Sequence, residues 1–185
     1  AQIDRVTVEY SISHALFVRA AGRFSLDQAL LEQVEARMRT LVSLALPIQK
    51  HSVNTWDAVD FFQKNGMPDK ARLLSYRISS HVNLYTLDGF TDYFYGYMVP
   101  DTSYLTCFGL EPYEDGFVLR LPDQADPARL AEFQPSAKVF RTLHDASDLA
   151  MSMGISTVGE LNTAISEGQA TQMVLAREAM MEKEI

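Results

Sequence analysis

The dipeptide Asp88-Gly89 limits the fold of this sequence more than any other feature, because it lies between two runs rich in aromatic and β-branched residues. Both central residues of a tight type I′ hairpin need positive φ, and Asp-Gly is among the pairs that adopt this conformation most readily. The runs His81–Leu87 and Phe90–Val99 are therefore predicted to pair as antiparallel strands. Any fold for this chain has to contain an antiparallel sheet.

Other local patterns place the remaining elements. Alternating apolar and polar residues from Val6 to Ile12 predict a first strand, with a partner over Ala15–Arg19. A helix is predicted to begin at Ser25, with Ser25 as N-cap and Gln28 at N3. Further strands are predicted over Ile48–Val53 and Phe117–Leu121, and further helices from Thr55, Pro68, Pro127, Ala137, Val158 and Ala170.

The strand patterns lie in the first two thirds of the chain, and helical patterns dominate after Pro122. This distribution predicts the α+β class: an antiparallel sheet packed with helices, plus a helical C-terminal extension.

Composition excludes several classes of protein. The net charge of −8 argues against a free-standing nucleic-acid binder, and no apolar run approaches the length of a membrane span. Cys107 is the only cysteine, so no intrachain disulfide can form and the cytoplasm is the expected compartment. The sequence contains no GxxxxGKS/T, GxGxxG, HExxH or GxSxG motif. The four histidines have no metal-ligand spacing, and no metal is expected: His14, His51, His81 and His144.

Ten of the 19 aromatic residues fall in one segment: Tyr85, Phe90, Tyr93, Phe94, Tyr95, Tyr97, Tyr104, Phe108, Tyr113 and Phe117. Two interpretations stay open. The segment could form a stacking platform for a base or sugar, or a strand packed on both faces inside a sheet core. In a regular strand Tyr93, Tyr95 and Tyr97 would share one face, with Phe94 and Met98 on the other.

Two further features each have a functional and a structural interpretation. Cys107 is typical of a small buried apolar residue, and a nucleophile would need an activating neighbour that the local sequence lacks. Five of the eight methionines lie in the last third, where they could form a docking surface for another domain or a second copy, or an ordinary helical core: Met151, Met153, Met173, Met180 and Met181.

The run TDYFYGYMVPDT resembles the second additional, or editing, domain of threonyl-tRNA synthetases. Asp92, Gly96 and Val99-Pro100 match that signature, whereas its Cys and His positions hold Phe94 and Met98. Apolar side chains neither coordinate a metal nor transfer a proton. The resemblance therefore implies an editing-domain-like α+β fold whose cleft is a candidate ligand site without catalytic residues, built from Asp92, Tyr93, Phe94, Tyr95, Gly96, Tyr97 and Met98.

The chain also resembles the middle region of bacterial uridine-kinase-like proteins, in the segments LPIQKHSV, GMPDKARLL, YFYGYMVPDTSYL, YEDGFVLRLP and VGELN. This resemblance implies a synthetase-like domain over residues 1–122, truncated at its N-terminus. A helical linker over residues 123–185 would lead to an absent P-loop kinase domain. The cofactors ATP and Mg would belong to that kinase domain, and none is expected here.

Three functions are compatible with these resemblances. The first is a non-catalytic accessory or regulatory module of an ATP-dependent nucleoside kinase, whose partner is the kinase domain of the same chain. The second is a binding module for a small ligand, an aminoacyl group or a tRNA end, with Lys50 and Arg77 as candidate anion contacts. The third is residual hydrolytic editing, for which Asp92 is the retained candidate. A homodimer through the Met-rich helices is a further expected partner, while a membrane and a whole tRNA are not.

Overall fold

The computed structural model describes residues 2–184 and confirms an α+β fold in which antiparallel sheet is packed with helices. Within these residues the strands are β1 (Gln2–Ile12), β2 (Ala15–Arg23), β3 (Gln49–Asn54), β4 (His81–Leu87), β5 (Phe90–Tyr93), β6 (Gly109–Tyr113) and β7 (Gly116–Arg120). The helices are α1 (Gln28–Ser43), α2 (Thr55–Lys64), α3 (Pro68–Ser75), α4 (Ala137–Ser152), α5 (Val158–Ser166) and α6 (Ala170–Glu184).

The chain forms two compact units, and each unit uses separate stretches of sequence. The first contains the residues up to Gln49, Leu87–Gly89 and Met98–Ser147, and its sheet has the order β1-β2-β7-β6. The second contains Lys50–Thr86, Phe90–Tyr97 and the residues from Asp148 onward, and its sheet has the order β3-β4-β5. The division into residues 1–122 and 123–185 stays a prediction.

The core of the first unit is aromatic. Phe17 of β2 lies opposite Val118 of β7 in an antiparallel pair, and both side chains are fully buried. Phe140 of α4 packs edge-on against Phe17, with ring centroids 5.2 Å apart. Tyr113 at the end of β6 packs edge-on against Phe140 at 5.0 Å. A residue of the helical C-terminal part therefore completes the core of the first sheet.

Helix α1 is fastened to the first sheet by two polar contacts. The Glu35 carboxylate accepts a hydrogen bond of 2.8 Å from the Leu110 backbone N–H, and Arg39 donates one of 2.8 Å to the Phe108 carbonyl. The helix begins later than predicted. Asp27, rather than Ser25, is its N-cap, and the Asp27 carboxylate accepts a hydrogen bond of 2.8 Å from Leu30 N–H. A carboxylate at this position also interacts favourably with the helix dipole.

The second unit packs α2 and α3 against its sheet, through a core of Ala58, Phe62, Ala71, Leu74, Val82 and Leu84. The predicted helix starts are confirmed: Asn54 caps α2 by accepting a hydrogen bond from Trp56 N–H, and Pro68 opens α3. The hairpin between β4 and β5 is confirmed as well. Asp88 has φ +49° and Gly89 has φ +80°, as the tight turn requires.

Two predicted elements are wrong. The strand predicted over Phe90–Val99 ends at Tyr93, and the following residues are irregular. The helical stretch predicted from Pro127 to Phe133 is also irregular. Its Arg129 carbonyl accepts a hydrogen bond of 2.8 Å from Asp123 N–H, and Ala131 N–H donates one of 3.1 Å to the Leu121 carbonyl. These backbone groups are therefore paired with the preceding segment and not with each other in a helix. Just before this stretch, the Asp123 carboxylate accepts hydrogen bonds from the N–H groups of Ala125 and Asp126, and these bonds lower the pKa of Asp123.

In the part of the chain that the structure describes, every helix is too short or too polar to cross a lipid bilayer.

Candidate functional site

The segment that follows β5 is held in place by Tyr85, a buried residue of β4. The Tyr85 hydroxyl donates a hydrogen bond of 2.9 Å to the Gly96 carbonyl. The Phe94 ring packs edge-on against the Tyr85 ring, with centroids 6.3 Å apart. Because Gly96 bonds to a side chain here, its carbonyl does not need a neighbouring strand. The segment leaves the sheet and presents its own side chains.

The Phe94 ring lies so close to Gly96 that it leaves little room for a side chain at that position. A Cβ atom on Gly96 would lie 3.1 Å from Cε1 of Phe94, which is closer than ordinary van der Waals contact. The Phe94 side chain nevertheless stays 43% exposed. The position that corresponds to the cysteine of the editing signature therefore carries an aromatic ring on the surface of the second unit. This ring can pack against a ligand, but it cannot act as a nucleophile.

Asp92 is engaged in the fold. Its carboxylate forms an ion pair with Lys70 of α3 through both oxygens, and its Oδ1 accepts a hydrogen bond of 2.6 Å from Tyr93 N–H. Both members of the ion pair are about one-third exposed. The carboxylate that was predicted as the candidate catalytic group for hydrolytic editing connects β5 to α3 through this ion pair. A water-activating base would need a free oxygen aimed at a substrate, and both Asp92 oxygens already have a cationic partner.

Arg77, which follows α3 in the chain, contacts two tyrosines. Its Nη2 donates a hydrogen bond of 2.7 Å to the Tyr93 hydroxyl. Its guanidinium carbon lies 5.7 Å from the centre of the Tyr93 ring and 5.3 Å from the centre of the Tyr95 ring. The Tyr95 side chain is 80% exposed. One arginine therefore orients an exposed aromatic ring and leaves most of that ring open to solvent.

Lys50 of β3 forms a second pair of the same kind. Its ammonium nitrogen lies 5.2 Å from the centre of the Tyr97 ring, and Tyr97 is 92% exposed. We call Lys50, Arg77, Tyr93, Tyr95 and Tyr97 the tyrosine–cation surface. Among the described residues, no carboxylate lies within 4.0 Å of the Lys50 ammonium or the Arg77 guanidinium. Both cations are therefore available to an anion.

This surface has the chemistry of a nucleotide contact. Exposed tyrosine rings can stack on a base of any identity, and unpaired cations beside them can contact a phosphate or a carboxylate. It does not have the chemistry of a metal centre, since no group of three or more His, Cys, Asp or Glu within residues 2–184 is placed to hold an ion. The arrangement can bind a ligand through its exposed rings and its two cations.

The other candidate residues lie apart from this surface. Met98 belongs to the first unit and is 40% exposed. Three of the histidines are exposed: His14, His51 and His81. Nδ1 of the fourth, His144, lies 2.8 Å from Nη2 of Arg19. Met151 is 51% exposed and Met153 is 37% exposed, while the side chains of Met180 and Met181 lie outside the described residues. The Met-rich homodimer stays a prediction.

Lys70 and Tyr85 are the residues of this site that the sequence did not reveal. Lys70 lies 22 positions before Asp92, and Tyr85 lies 11 positions before Gly96. Neither pair lies within a single helix or strand, so no periodicity within one element relates its members. The Tyr85 hydroxyl was the only available signal, because a buried tyrosine usually needs a hydrogen-bond partner.

Part of this chain is similar in sequence to known synthetases. No family model matches the chain. The threonine–tRNA ligase of Francisella tularensis subsp. novicida strain U112 is 27% identical over 105 residues, which is 57% of this chain and 17% of that enzyme. The threonine–tRNA ligases of subsp. holarctica strain OSU18 and subsp. tularensis strain FSC 198 are 26% and 27% identical over the same shares. The chain thus spans only a small part of the length of these relatives, and it is weakly similar to one region of a threonine–tRNA ligase.

Proposed function

We propose that this chain is a non-catalytic binding module, derived from the editing domain of a threonyl-tRNA synthetase. Its ligand would be a small nucleotide-like molecule such as an aminoacyl-adenosine or the end of a tRNA. The observation that carries this proposal is the tyrosine–cation surface, where Tyr95 and Tyr97 expose their rings beside cations that lack a carboxylate partner. The similarity to threonine–tRNA ligases supports the synthetase origin.

Charge favours a small ligand over a whole tRNA. The chain carries a net charge of −8, which repels a long polyanion. Lys50 and Arg77 supply two local cations, enough for one or two phosphate or carboxylate groups. The replacement of the signature cysteine and histidine by Phe94 and Met98, together with the Lys70–Asp92 ion pair, supports binding without hydrolysis.

Thermal unfolding with added ligands tests the proposal. AMP and a non-hydrolysable seryl-adenosine analogue should raise Tm, whereas threonine and serine alone should not, because they offer no base to stack. At a ligand concentration tenfold above Kd the stabilisation should be about 1.4 kcal/mol. Tyr95→Ala and Arg77→Ala should each remove most of the shift, and Tyr95→Phe should retain it because stacking needs the ring alone.

The control is Arg37→Ala, which removes an exposed arginine of α1 in the first unit. It lowers the net charge by the same amount as Arg77→Ala, so an equal loss of binding in both variants would mean general electrostatics. Absence of any Tm shift with every nucleotide would refute the proposal. Release of serine from a hydrolysable seryl-adenosine ester, lost in Asp92→Ala, would show that the module is an enzyme.

The relatives named above are synthetases, and the resemblance to uridine-kinase-like proteins stays a prediction. A binding module of this kind is compatible with an accessory role in a kinase, since a bound nucleotide could report on the kinase substrate. The kinase domain, ATP and Mg, as well as the cytoplasmic location, stay predictions of the sequence in the same way.

A further inference from the structure

A second candidate site lies within the first unit, apart from the tyrosine–cation surface. It is a half-open cavity of about 400 Å³. Met38, Leu41 and Val42 of α1 line it together with Leu119 of β7, Cys107 and Phe108. Pro127, where a helix was predicted, also contributes to the lining. The volume falls within the range of about 300–1,000 Å³ that is usual for small-molecule sites.

The residues that line the cavity disfavour the binding of a charged ligand. No Lys, Arg, His, Asp or Glu among the described residues lines the cavity. The hydroxyl of Thr102, one of its few polar groups, is already satisfied, since it donates to the Leu41 carbonyl at 2.6 Å and accepts from Leu46 N–H at 2.9 Å. A charged or strongly polar ligand would therefore lose its hydration without gaining partners.

The size of the cavity limits the occupant. An apolar cavity of about 150 Å³ holds benzene. At about 400 Å³ this one has room for two or three rings, or for an aliphatic chain of equal volume. One wall is formed by residues after the turn at Thr102–Tyr104, where Leu105 is 48% exposed and belongs to no helix or strand. Burial of such a side chain against a ligand would remove apolar surface from water.

We propose that this cavity binds a small, uncharged, largely apolar molecule of two or three rings. The proposal does not depend on the nucleotide site, which lies in the other unit and uses charge. The single thiol of Cys107 lines the cavity and is partly exposed, so it reports on occupancy.

The uncharged three-ring dye N-phenyl-1-naphthylamine tests the site in the full chain. Its fluorescence should rise saturably with a stoichiometry of one dye per chain. Val42→Trp, which fills the cavity from α1, should weaken binding by at least about tenfold, equivalent to 1.4 kcal/mol. Val139→Trp is the matched control, because Val139 is an exposed helical valine of the same unit outside the cavity, and it should bind the dye as the unmodified chain does.

A second measurement needs no variant. Saturating dye should slow the alkylation of Cys107 by iodoacetamide about fivefold or more, as expected when a ligand covers a lining thiol. The proposal is overturned if dye fluorescence does not saturate, or if Val42→Trp and Val139→Trp bind the dye equally. It is also overturned if protection of Cys107 follows protein concentration rather than dye concentration, since a second copy of the chain would then be the occupant.

Discussion

At the scale of single residues, two carboxylates connect separate elements of the fold. Asp92 is paired with Lys70, and Glu35 holds α1 to β6. Burial raises the pKa of Glu35, but the hydrogen bond from Leu110 N–H and the nearby Arg39 guanidinium outweigh it and hold the pKa below its ordinary value. A carboxyl with a lowered pKa stabilises the fold when it is ionised.

The pH dependence of stability should reveal this role. Because folding lowers the pKa of Glu35, its contribution is fully present above the unfolded pKa near 4.5 and is lost as pH falls through the folded value. Glu35→Gln should therefore lower the free energy of unfolding by about 1.5 kcal/mol at pH 7, and the difference should shrink below pH 4.5. Urea unfolding at several pH values measures it.

Glu32→Gln on the same helix is the control, because Glu32 is exposed and accepts a hydrogen bond from Gln28, its neighbour on the same helix. Its effect should stay within about 0.5 kcal/mol at every pH. A Glu35→Gln deficit that does not change between pH 7 and pH 3 would contradict the role assigned to the ionised carboxylate.

At the scale of elements, the approach of α5 to α3 depends on one glycine. A Cβ atom on Gly159 would lie 2.9 Å from the backbone nitrogen of Leu73 and 3.3 Å from the carbonyl carbon of Arg72. An ion pair of 3.3 Å between Arg72 of α3 and Glu160 of α5 also joins the two helices. Thr157 and Glu160 form a capping box that sets where α5 begins. The backbones of the two helices can meet only because Gly159 has no side chain.

Gly159→Ala should therefore destabilise the second unit, although alanine forms helix more readily than glycine by about 1 kcal/mol. Overpacking against a backbone should cost about 1–3 kcal/mol net, measured by urea unfolding followed at Trp56, the only tryptophan. Gln172→Ala on α6 is an exposed helical control and should change stability by less than about 0.5 kcal/mol. An increase in stability for Gly159→Ala would show that α5 can shift away from α3 at little cost.

At the scale of the whole molecule, the chain order and the compact units do not coincide. Phe140 lies in the helical C-terminal part, yet it is 7% exposed and packs against Phe17 and Tyr113 of the first sheet. Residues beyond Pro122 are thus required by the core of a sheet whose strands all come before Pro122. The first unit therefore includes the C-terminal part of the chain up to Ser147.

Phe140→Ala should lower the free energy of unfolding by about 3–5 kcal/mol, because a buried aromatic ring is replaced by a cavity. Val139→Ala, at the adjacent and half-exposed position of the same helix, is the matched control and should change it by less than about 0.5 kcal/mol. Circular dichroism during urea unfolding measures both. Similar small effects for the two variants would mean that α4 is dispensable for the first sheet.

Local chemistry was enough to predict most elements from the sequence. The positive φ values needed at Asp88 and Gly89, the capping oxygen of Asn54 and the position of Pro68 each act within a few residues. The predictions failed where a competing contact decided the outcome. Asp27 is the N-cap that was expected at Ser25, and backbone hydrogen bonds to Leu121 and Asp123 replace the helix expected after Pro127. In both cases the competing partner lies nearby in the sequence, so neither failure required distant residues.

The sequence by itself determined the α+β class, the hairpin, the residues Phe94 and Met98 at the cysteine and histidine positions of the editing signature that this run resembles, and the tyrosines at 93, 95 and 97. Only the tertiary structure decided that Tyr95 and Tyr97 lie exposed beside Arg77 and Lys50, that Asp92 is engaged by Lys70, and that an apolar cavity forms beneath α1. The physical reason is the distance along the chain over which each kind of interaction acts. Backbone dihedral preferences and caps act between neighbours in the chain, whereas cation–π pairs, ion pairs and cavities join residues that only folding brings together.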